Sequence, residues 1–291
     1  METSRNILIT GASTGIGYTI ALDLAKHGYQ VFGSVRKQED ADALTAATPP
    51  GAKPIQTLLL DVTDEASVWA AAEELQRRLG DAGLDGLINN AGIAIAAPLE
   101  YIPIEDFQLQ MDINLTGLLR TTQAFLPLVK KARGRVVNIS SIAGRLAFPL
   151  AGPYHASKHA VEGLSDVLRL ELRRYGIEVV VVQPGAINTP IWATAGKKAA
   201  EIGEKLSAKA LKDYGKLIHQ VGKASAKAGE EGEDPQRCAD VVRTALEAKR
   251  PRTRYIVGRN AKIGMFLRRI LSDRRMDKIV GKGLDLEERL S

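Results

Sequence analysis

Short continuous runs of β-branched residues and leucine alternate along this chain with longer stretches of helical periodicity, and that rhythm constrains the fold more than any single motif. The runs are NILITG (6–11), YQVFGSVR (29–36), IQTLLLDV (55–62), GLINNAG (86–92), RVVNISS (135–141), EVVVVQPG (178–185) and RYIVG (254–258). Most are apolar throughout instead of alternating with polar residues, the pattern of strands covered on both faces in a parallel sheet. Helical stretches fill the gaps at IGYTIALDLAKHG and at 66–80, 105–131, 154–175 and 241–248. This order predicts an α/β fold: a doubly wound parallel sheet of about seven strands, flanked by helices and joined by right-handed crossovers. One segment breaks the rhythm. Residues 191–233, rich in Ala, Lys, Gly and Glu, are too long for a plain connection and read as a partly helical insertion over a site.

Composition excludes several classes. Hydrophobic content of 45% and charged content of 25% are ordinary for a globular chain of 291 residues. We expect a single catalytic domain over 1–258 and a basic amphipathic C-terminal helical extension over 259–291. The net charge of +6 is concentrated in the tail: twelve Lys/Arg against two Asp between Lys249 and Lys282 give +10, leaving −4 for everything else. A body of that sign argues against nucleic acid as a partner. No run approaches the ~18–20 apolar residues of a membrane span. The single cysteine, Cys238, cannot form an internal disulfide, and METSRNILIT enters a strand without a basic and then apolar leader. A cytoplasmic location is the expectation, with peripheral membrane contact as its alternative form.

TGASTGIG (10–17) lies where the first strand meets the first helix. Gly11 permits a tight turn, while Gly15 and Gly17 let backbone approach a pyrophosphate and let the helix pack on the sheet. The unpaired N–H groups of the helix start would face the anion. This is a dinucleotide cradle of Rossmann type, formed by Gly11, Ser13, Thr14, Gly15, Ile16 and Gly17. The end of the second strand, about 20 positions on, chooses the cofactor. There GSVRK places Val35 where a carboxylate would bind a ribose 2′-hydroxyl, followed by Arg36 and Lys37. A guanidinium suits a 2′-phosphate, so the expected cofactor is NADP, with NAD as the alternative. Asp61 and Val62 end the third strand, where they could contact adenine; Asp61 could equally cap the following helix.

TGASTGIG, DV, NNAG (89–92), a helical Asn114, NISS ending in Ser141, YHASK (154–158) and PGAINTP (184–190) occur in that order. The chain resembles the short-chain dehydrogenase/reductase family over residues 7 to about 190, with the fold match reaching about 258. The stretches VFGSVRK and AGRLAFPLAGPYHASK and the basic extension are similar to its steroid and retinol dehydrogenase branch. The resemblance implies a catalytic set of Asn114, Ser141, Tyr154 and Lys158. Tyr154 would exchange a proton with the substrate oxygen as hydride moves to or from the nicotinamide. A free phenol, pKa about 10, is too weak a base for this at neutral pH. Lys158, four positions on and on the same helix face, would lower that value together with an oxidised nicotinamide, and would hydrogen-bond the nicotinamide ribose. Ser141 would hold the substrate oxygen. Asn114 would hold a water linking Lys158 to solvent. The Asn89-Asn90-Ala91-Gly92 turn would stabilise the central strand as much as line the adenosine ribose; Pro184, Gly185, Ile187 and Thr189 would hold the carboxamide. No metal is implied: His155 and His159 lack completing ligands.

The substrate wall is expected from Ile93–Leu99, Ala143–Leu150 and the 191–233 insertion. IAIAAPL and AGRLAFPL are apolar apart from Arg145, which suits a small lipophilic alcohol or carbonyl substrate such as a steroid, retinoid or fatty alcohol. A polyketide or acyl ketone reductase, and a non-catalytic NADP-binding regulator, are the alternatives. Trp192 reads as an aromatic wall or a packing anchor. In the tail, Ile263, Phe266, Leu267, Ile270 and Leu271 repeat at helical spacing beside Lys262, Arg268 and Arg269. That stripe would fold onto its own domain or a second subunit, or contact a membrane. A homodimer or homotetramer through 105–131 and 154–175 is expected.

Overall fold

The computed structural model describes residues 5–284. Seven parallel strands form one sheet in the order β3-β2-β1-β4-β5-β6-β7. They are β1 (Asn6–Ile9), β2 (Gln30–Val35), β3 (Gln56–Leu59), β4 (Gly86–Asn89), β5 (Arg135–Ile139), β6 (Glu178–Pro184) and β7 (Arg254–Val257), each inside a run expected from the sequence. The helices are α1 (Gly15–Lys26), α2 (Gln38–Ala46), α3 (Glu65–Leu79), α4 (Ile104–Met111), α5 (Gly117–Ala132), α6 (Gly152–Leu172), α7 (Ile191–Gly203), α8 (Ala208–Glu230), α9 (Gln236–Glu247), α10 (Arg259–Ile270) and α11 (Asp273–Gly283).

The strand pattern explains the two cores. Side chains alternate across a strand, so neighbours in β1 serve opposite layers. Ile7 and Ile9 pack with Ile20, Leu24, Val242 and Leu246 of α1 and α9. Leu8 faces the other way and packs with Leu87, Val136, Val179, Val68, Leu75 and Phe125, which brings in α3 and α5. Both faces of the sheet are therefore apolar, and a continuous hydrophobic run is the only pattern that satisfies both. Cys238 lies on the buried face of α9, with its thiol pushed up to about 12 by burial, so it is inert at neutral pH.

The chain runs outward from β1 to β3, then returns to place β4 on β1's other side. The crevice outside the carboxyl ends of β1 and β4 is thus the switch point of the sheet, where ligands bind in such folds. A hollow of about 310 Å³ lined by Arg5, Tyr29, Arg135 and Glu247 lies instead at the amino ends of the strands, away from every expected site residue.

One feature was not legible in the sequence. The helix expected over 105–131 is interrupted by a π-helical segment, Asp112–Thr116, with Asn114 at its centre. Such single-turn widenings are rare and concentrate at functional sites. The 191–233 insertion is almost wholly helical, as α7 and α8.

Candidate active site

The first wall of the crevice is the Gly11 turn. Gly11 and Gly15 both hold positive φ, 65° and 58°, which L side chains rarely adopt. A Cβ on Gly17 would lie 2.3 Å from Asn90 Nδ2 and 2.4 Å from the Gly11 carbonyl, so glycine is required there by close approach. The amide of Asn90 is the clamp: its Nδ2 donates to the carbonyls of Thr10 and Gly11 at 3.0 and 2.9 Å. In return the backbone N–H groups of Asn90 and Ala91 donate to the Thr10 hydroxyl at 3.0 and 3.1 Å. TGASTGIG and NNAG, 80 residues apart, thus form one laced structure across the switch point. Helix α1 begins at Gly15 with no side-chain cap from Thr14, which leaves its leading N–H groups directed into the crevice mouth.

The second wall holds the charges that follow β2 and β3. Val35 is buried, while Arg36 and Lys37 are exposed. Asp61 does not cap α3; that role falls to Asp64, which accepts from Ala66 N at 2.9 Å. Asp61 instead accepts from the backbone and hydroxyl of Thr63 at 2.9 and 2.7 Å. Burial pushes its carboxyl up, but those two bonds and the charges of Arg36 and Arg120 outweigh it, and its pKa lies below the usual value. Buried Val62 packs on Gly117, and its carbonyl accepts from Arg120.

Ser141, Tyr154 and Lys158 meet at the carboxyl end of β5. Proline at the second position of α6 starts the helix just before Tyr154, and the i, i+4 spacing sets Lys158 one turn on. The Ser141 hydroxyl stands near the half-buried phenol of Tyr154 and acts to lower its pKa. It also accepts from Ala143 N at 3.1 Å, which fixes its direction. Lys158 is buried; its Nζ donates to the Ile139 carbonyl at 2.8 Å and lies 5.8 Å from the Tyr154 ring centroid. The neighbouring Ser140 hydroxyl is buried without a partner among the described residues, and Ser141 is the serine whose hydroxyl acts on the phenol.

Electrostatics here differ from the sequence expectation. Burial pushes the Tyr154 phenol up, only partly offset by the Ser141 hydroxyl, while the Lys158 ammonium is directed at a backbone carbonyl. Burial likewise pushes Lys158 down to about 8, against the opposing pull of Glu162 one turn further along α6. Glu162 is a buried carboxylate that sequence reading passed over. Gln183 and Arg254 donate to it at 3.0 and 2.8 Å, and Arg145 lies 3.5 Å away.

Asn114 is buried, yet its side chain is fully engaged. Its Oδ1 accepts from Ile93 N at 2.9 Å; its Nδ2 donates to Ile93 O at 3.0 Å and to Ser157 Oγ at 3.1 Å. Gln110, one turn earlier, accepts from Ile95 N and donates to Ile93 O at 2.7 and 2.8 Å. The two amides therefore hold the extended segment after NNAG. His155 does similar work on the next loop: Nδ1 donates to Ala143 O and Nε2 accepts from Phe148 N, both at 3.0 Å. That pattern defines a neutral imidazole, and burial pushes its pKa down accordingly. Gln110 has no motif to announce it, and His155 stands inside YHASK without a sign of this task; only buried positions beside backbone that lacks sheet or helix partners reveal it.

Three segments close over this point. Ile202 of α7 packs on Ile93, Ile95, Ala97 and Ile102. Ala97 N donates to Leu150 O at 2.8 Å, and Tyr214 of α8 stacks edge-on against Tyr101 at 5.7 Å. Trp192 is an anchor instead of a wall: its Nε1 donates to Ile187 O at 2.8 Å and its ring covers Gly229. Pro184 ends β6, Gly185 N donates to Val257 O at 2.9 Å, and Thr189 abuts Gly15, so PGAINTP borders the glycine cradle. Among the described residues no group of three or more His, Cys, Asp or Glu could hold a metal ion.

Comparison with known proteins agrees with this geometry. The short chain dehydrogenase family model matches residues 5–200, well over half of the chain. The chain is 37% identical to the NADPH-dependent 3-dehydrocapnine reductase of Ornithobacterium rhinotracheale, covering 96% of this chain and 97% of that one. It is 35% identical to retinol dehydrogenase 16 of Mus musculus, over 89% and 82% of the two chains. The crystal structure of a short-chain dehydrogenase from Streptomyces avermitilis superposes with a TM-score of 0.76 at 29% identity, over the whole of both chains. With the glycine cradle, the switch point and the Ser-Tyr-Lys cluster in one crevice, the chain belongs to the short-chain dehydrogenase family and is an oxidoreductase of its steroid and retinol dehydrogenase-like branch.

Proposed function

We propose that this protein interconverts a lipophilic alcohol and its carbonyl compound with NADP(H), Tyr154 handling the proton. The observation that carries this reading is the gathering of Ser141, Tyr154 and Lys158 at the carboxyl end of β5, in the same crevice as a turn whose Gly11 and Gly17 admit no Cβ. That turn fits a dinucleotide: Gly11, Ser13, Thr14, Gly15, Ile16 and Gly17 would hold the pyrophosphate on the start of α1. Arg36 and Lys37 would take the 2′-phosphate, with Val35 offering no carboxylate to repel it. Asp61 and Val62 would border the adenine, Asn90, Ala91 and Gly92 the ribose, and Pro184, Gly185, Ile187 and Thr189 the carboxamide. NADPH dependence in the Ornithobacterium relative supports the same choice.

When bound, the reduced nicotinamide supplies hydride to the carbonyl carbon. The residues then have defined tasks. Ser141 Oγ holds the carbonyl oxygen, whose π electrons become a lone pair as the C–H bond forms. Tyr154, kept protonated by burial, gives that oxygen its hydroxyl proton and is left as phenolate. Lys158 stabilises the phenolate by charge and has two further N–H donors for the ribose and for returning a proton. Asn114 positions the segment lining this site through Ile93. Run backward, the same steps oxidise an alcohol.

The apolar residues Ile93, Ile95, Ala97, Ile102 and Ile202, with no buried basic clamp among them, support a lipophilic substrate. Exposed Ile104 and Leu109 on α4 and Val167 and Leu170 on α6 support a homodimer or homotetramer through those helices. A panel of alkyl ketones, steroids and retinoids followed at 340 nm tests the reaction; failure of every carbonyl or alcohol to change NADPH would refute it. Arg36→Ala is expected to weaken NADPH about 10–100-fold, the loss of one charge-assisted phosphate contact, and to leave NADH within about twofold. Titration of both cofactors against both proteins checks this, and a native preference for NADH would overturn the assignment.

A further inference from the structure

The C-terminal helices present their apolar stripe in the wrong direction for a folded tail. On α10, Ala261, Gly264 and Arg268 share one face, and that face meets the body. Buried Ala261 lies against Gly185, where an added Cβ would come within 2.9 Å of the alanine methyl. Gly264 faces Leu146, and Arg268 Nε donates to Arg145 O at 3.4 Å. The opposite face carries Ile263, Phe266 and Ile270, exposed to 52%, 61% and 57%. Of the five residues in the expected stripe, the three largest contributors to this face therefore point to solvent. Ile279 on α11 is exposed as well.

Isolated exposed hydrophobes need no explanation, but a three-residue stripe on a helix anchored by its small side does. Lys262 and Arg269 flank the stripe, and both are exposed. Across residues 259–283, eight Lys/Arg stand against two Asp, a net +6. A second copy of this chain, seated on the stripe by a two-fold axis, would oppose two such faces and repel. An anionic surface with an apolar interior complements both features at once. Among the described residues no helix is long and apolar enough to cross a membrane, so contact would be in the interface plane.

We propose that α10 and α11 dock this protein on an anionic lipid bilayer, with Ile263, Phe266 and Ile270 entering the headgroup boundary and Lys262 and Arg269 pairing with lipid charge. Because α10 rests on Gly185 and Leu146, the loops after β6 and β5, docking brings the bilayer to the end of the sheet that holds the crevice. The surface stands independently of which substrate the crevice accepts.

Sedimentation of the full chain with extruded vesicles tests this. Vesicles of phosphatidylcholine with roughly one third phosphatidylserine should pellet the protein at low salt, whereas phosphatidylcholine alone should not. Phe266→Ser/Ile270→Ser and Lys262→Gln/Arg269→Gln should each weaken partition roughly tenfold or more. Absence of pelleting on the anionic vesicles, equal pelleting on both lipids, or full pelleting by either variant would overturn the proposal. So would a native dimer that light scattering shows to fall apart in Phe266→Ser/Ile270→Ser without any lipid binding, since the stripe would then belong to a second copy.

Discussion

Tyr154→Phe lowers kcat by about 10²–10⁴-fold in the expected result, the usual worth of a positioned general acid–base group. The substitution removes one oxygen and nothing else. Ser141 keeps its bond from Ala143 N and its contact with the Pro184 carbonyl, so the cradle and the β5 loop stay as they are. Stability should change by only about 1 kcal/mol, the net worth of one hydrogen bond. NADPH should bind as before, because the glycine turn lies on the far side of the switch point from the phenol's helix. Turnover assays paired with NADPH fluorescence titration separate the outcomes. Loss of turnover with binding intact is expected; turnover within tenfold of native would remove Tyr154 from proton transfer.

Lys158→Met should divide activity from stability. A buried ammonium with one backbone acceptor is held at a cost. Its pKa near 8, against an ordinary 10.5, corresponds to about 3 kcal/mol of lost stability at neutral pH. The sign follows from proton counting. Between about pH 8 and 10.5 the unfolded chain binds this proton and the folded chain does not, so stability rises with pH across that window. Below it the full penalty is present. Methionine removes the charge but leaves the Ile139 carbonyl without its donor, a loss of about 1–3 kcal/mol. The variant should therefore be as stable as native at pH 7 or slightly more so, and should lose the rise toward pH 10.5 in denaturant titrations. Turnover should fall about a hundredfold or more, since the phenolate loses its cation. A variant both inactive and several kcal/mol less stable would mean that Lys158 holds the fold instead of serving the site.

How far the sequence carried this reading follows from where each signal resides. The inner strands were visible because both faces of the sheet are buried there, and burial on both faces leaves a largely apolar run that few other structures require. Gly11 and Gly17 were visible because one needs positive φ and the other admits no side chain. Other features depend on contacts between distant residues. Asn90 is expected to brace the central strand as much as to line a ribose, but which atoms do the bracing, an amide clamped on the Gly11 turn, is visible only in the fold. Asp61 was left open as a helix cap, a task that falls to Asp64 three residues later. The π-helical widening at Asn114 has no composition cue, and neither has the hold of its side chain on the backbone of Ile93. Glu162 and His155 look like ordinary helix residues until burial and their partners are known. The direction of the Tyr154 shift in the protein alone is likewise not legible from spacing. Spacing tells that an ammonium is one turn away, but not that it is aimed at a carbonyl, nor that burial of the phenol is the larger effect.

The structure of a complex with NADP and a substrate alcohol bears most directly on the central claim, that one substrate oxygen is shared by Ser141 and Tyr154 beside the nicotinamide. The expected result places that oxygen about 2.6–3.2 Å from both hydroxyls, with its carbon in contact with nicotinamide C4. A nicotinamide lying elsewhere, with the Tyr154 hydroxyl out of reach of any atom that touches the ring, would contradict it.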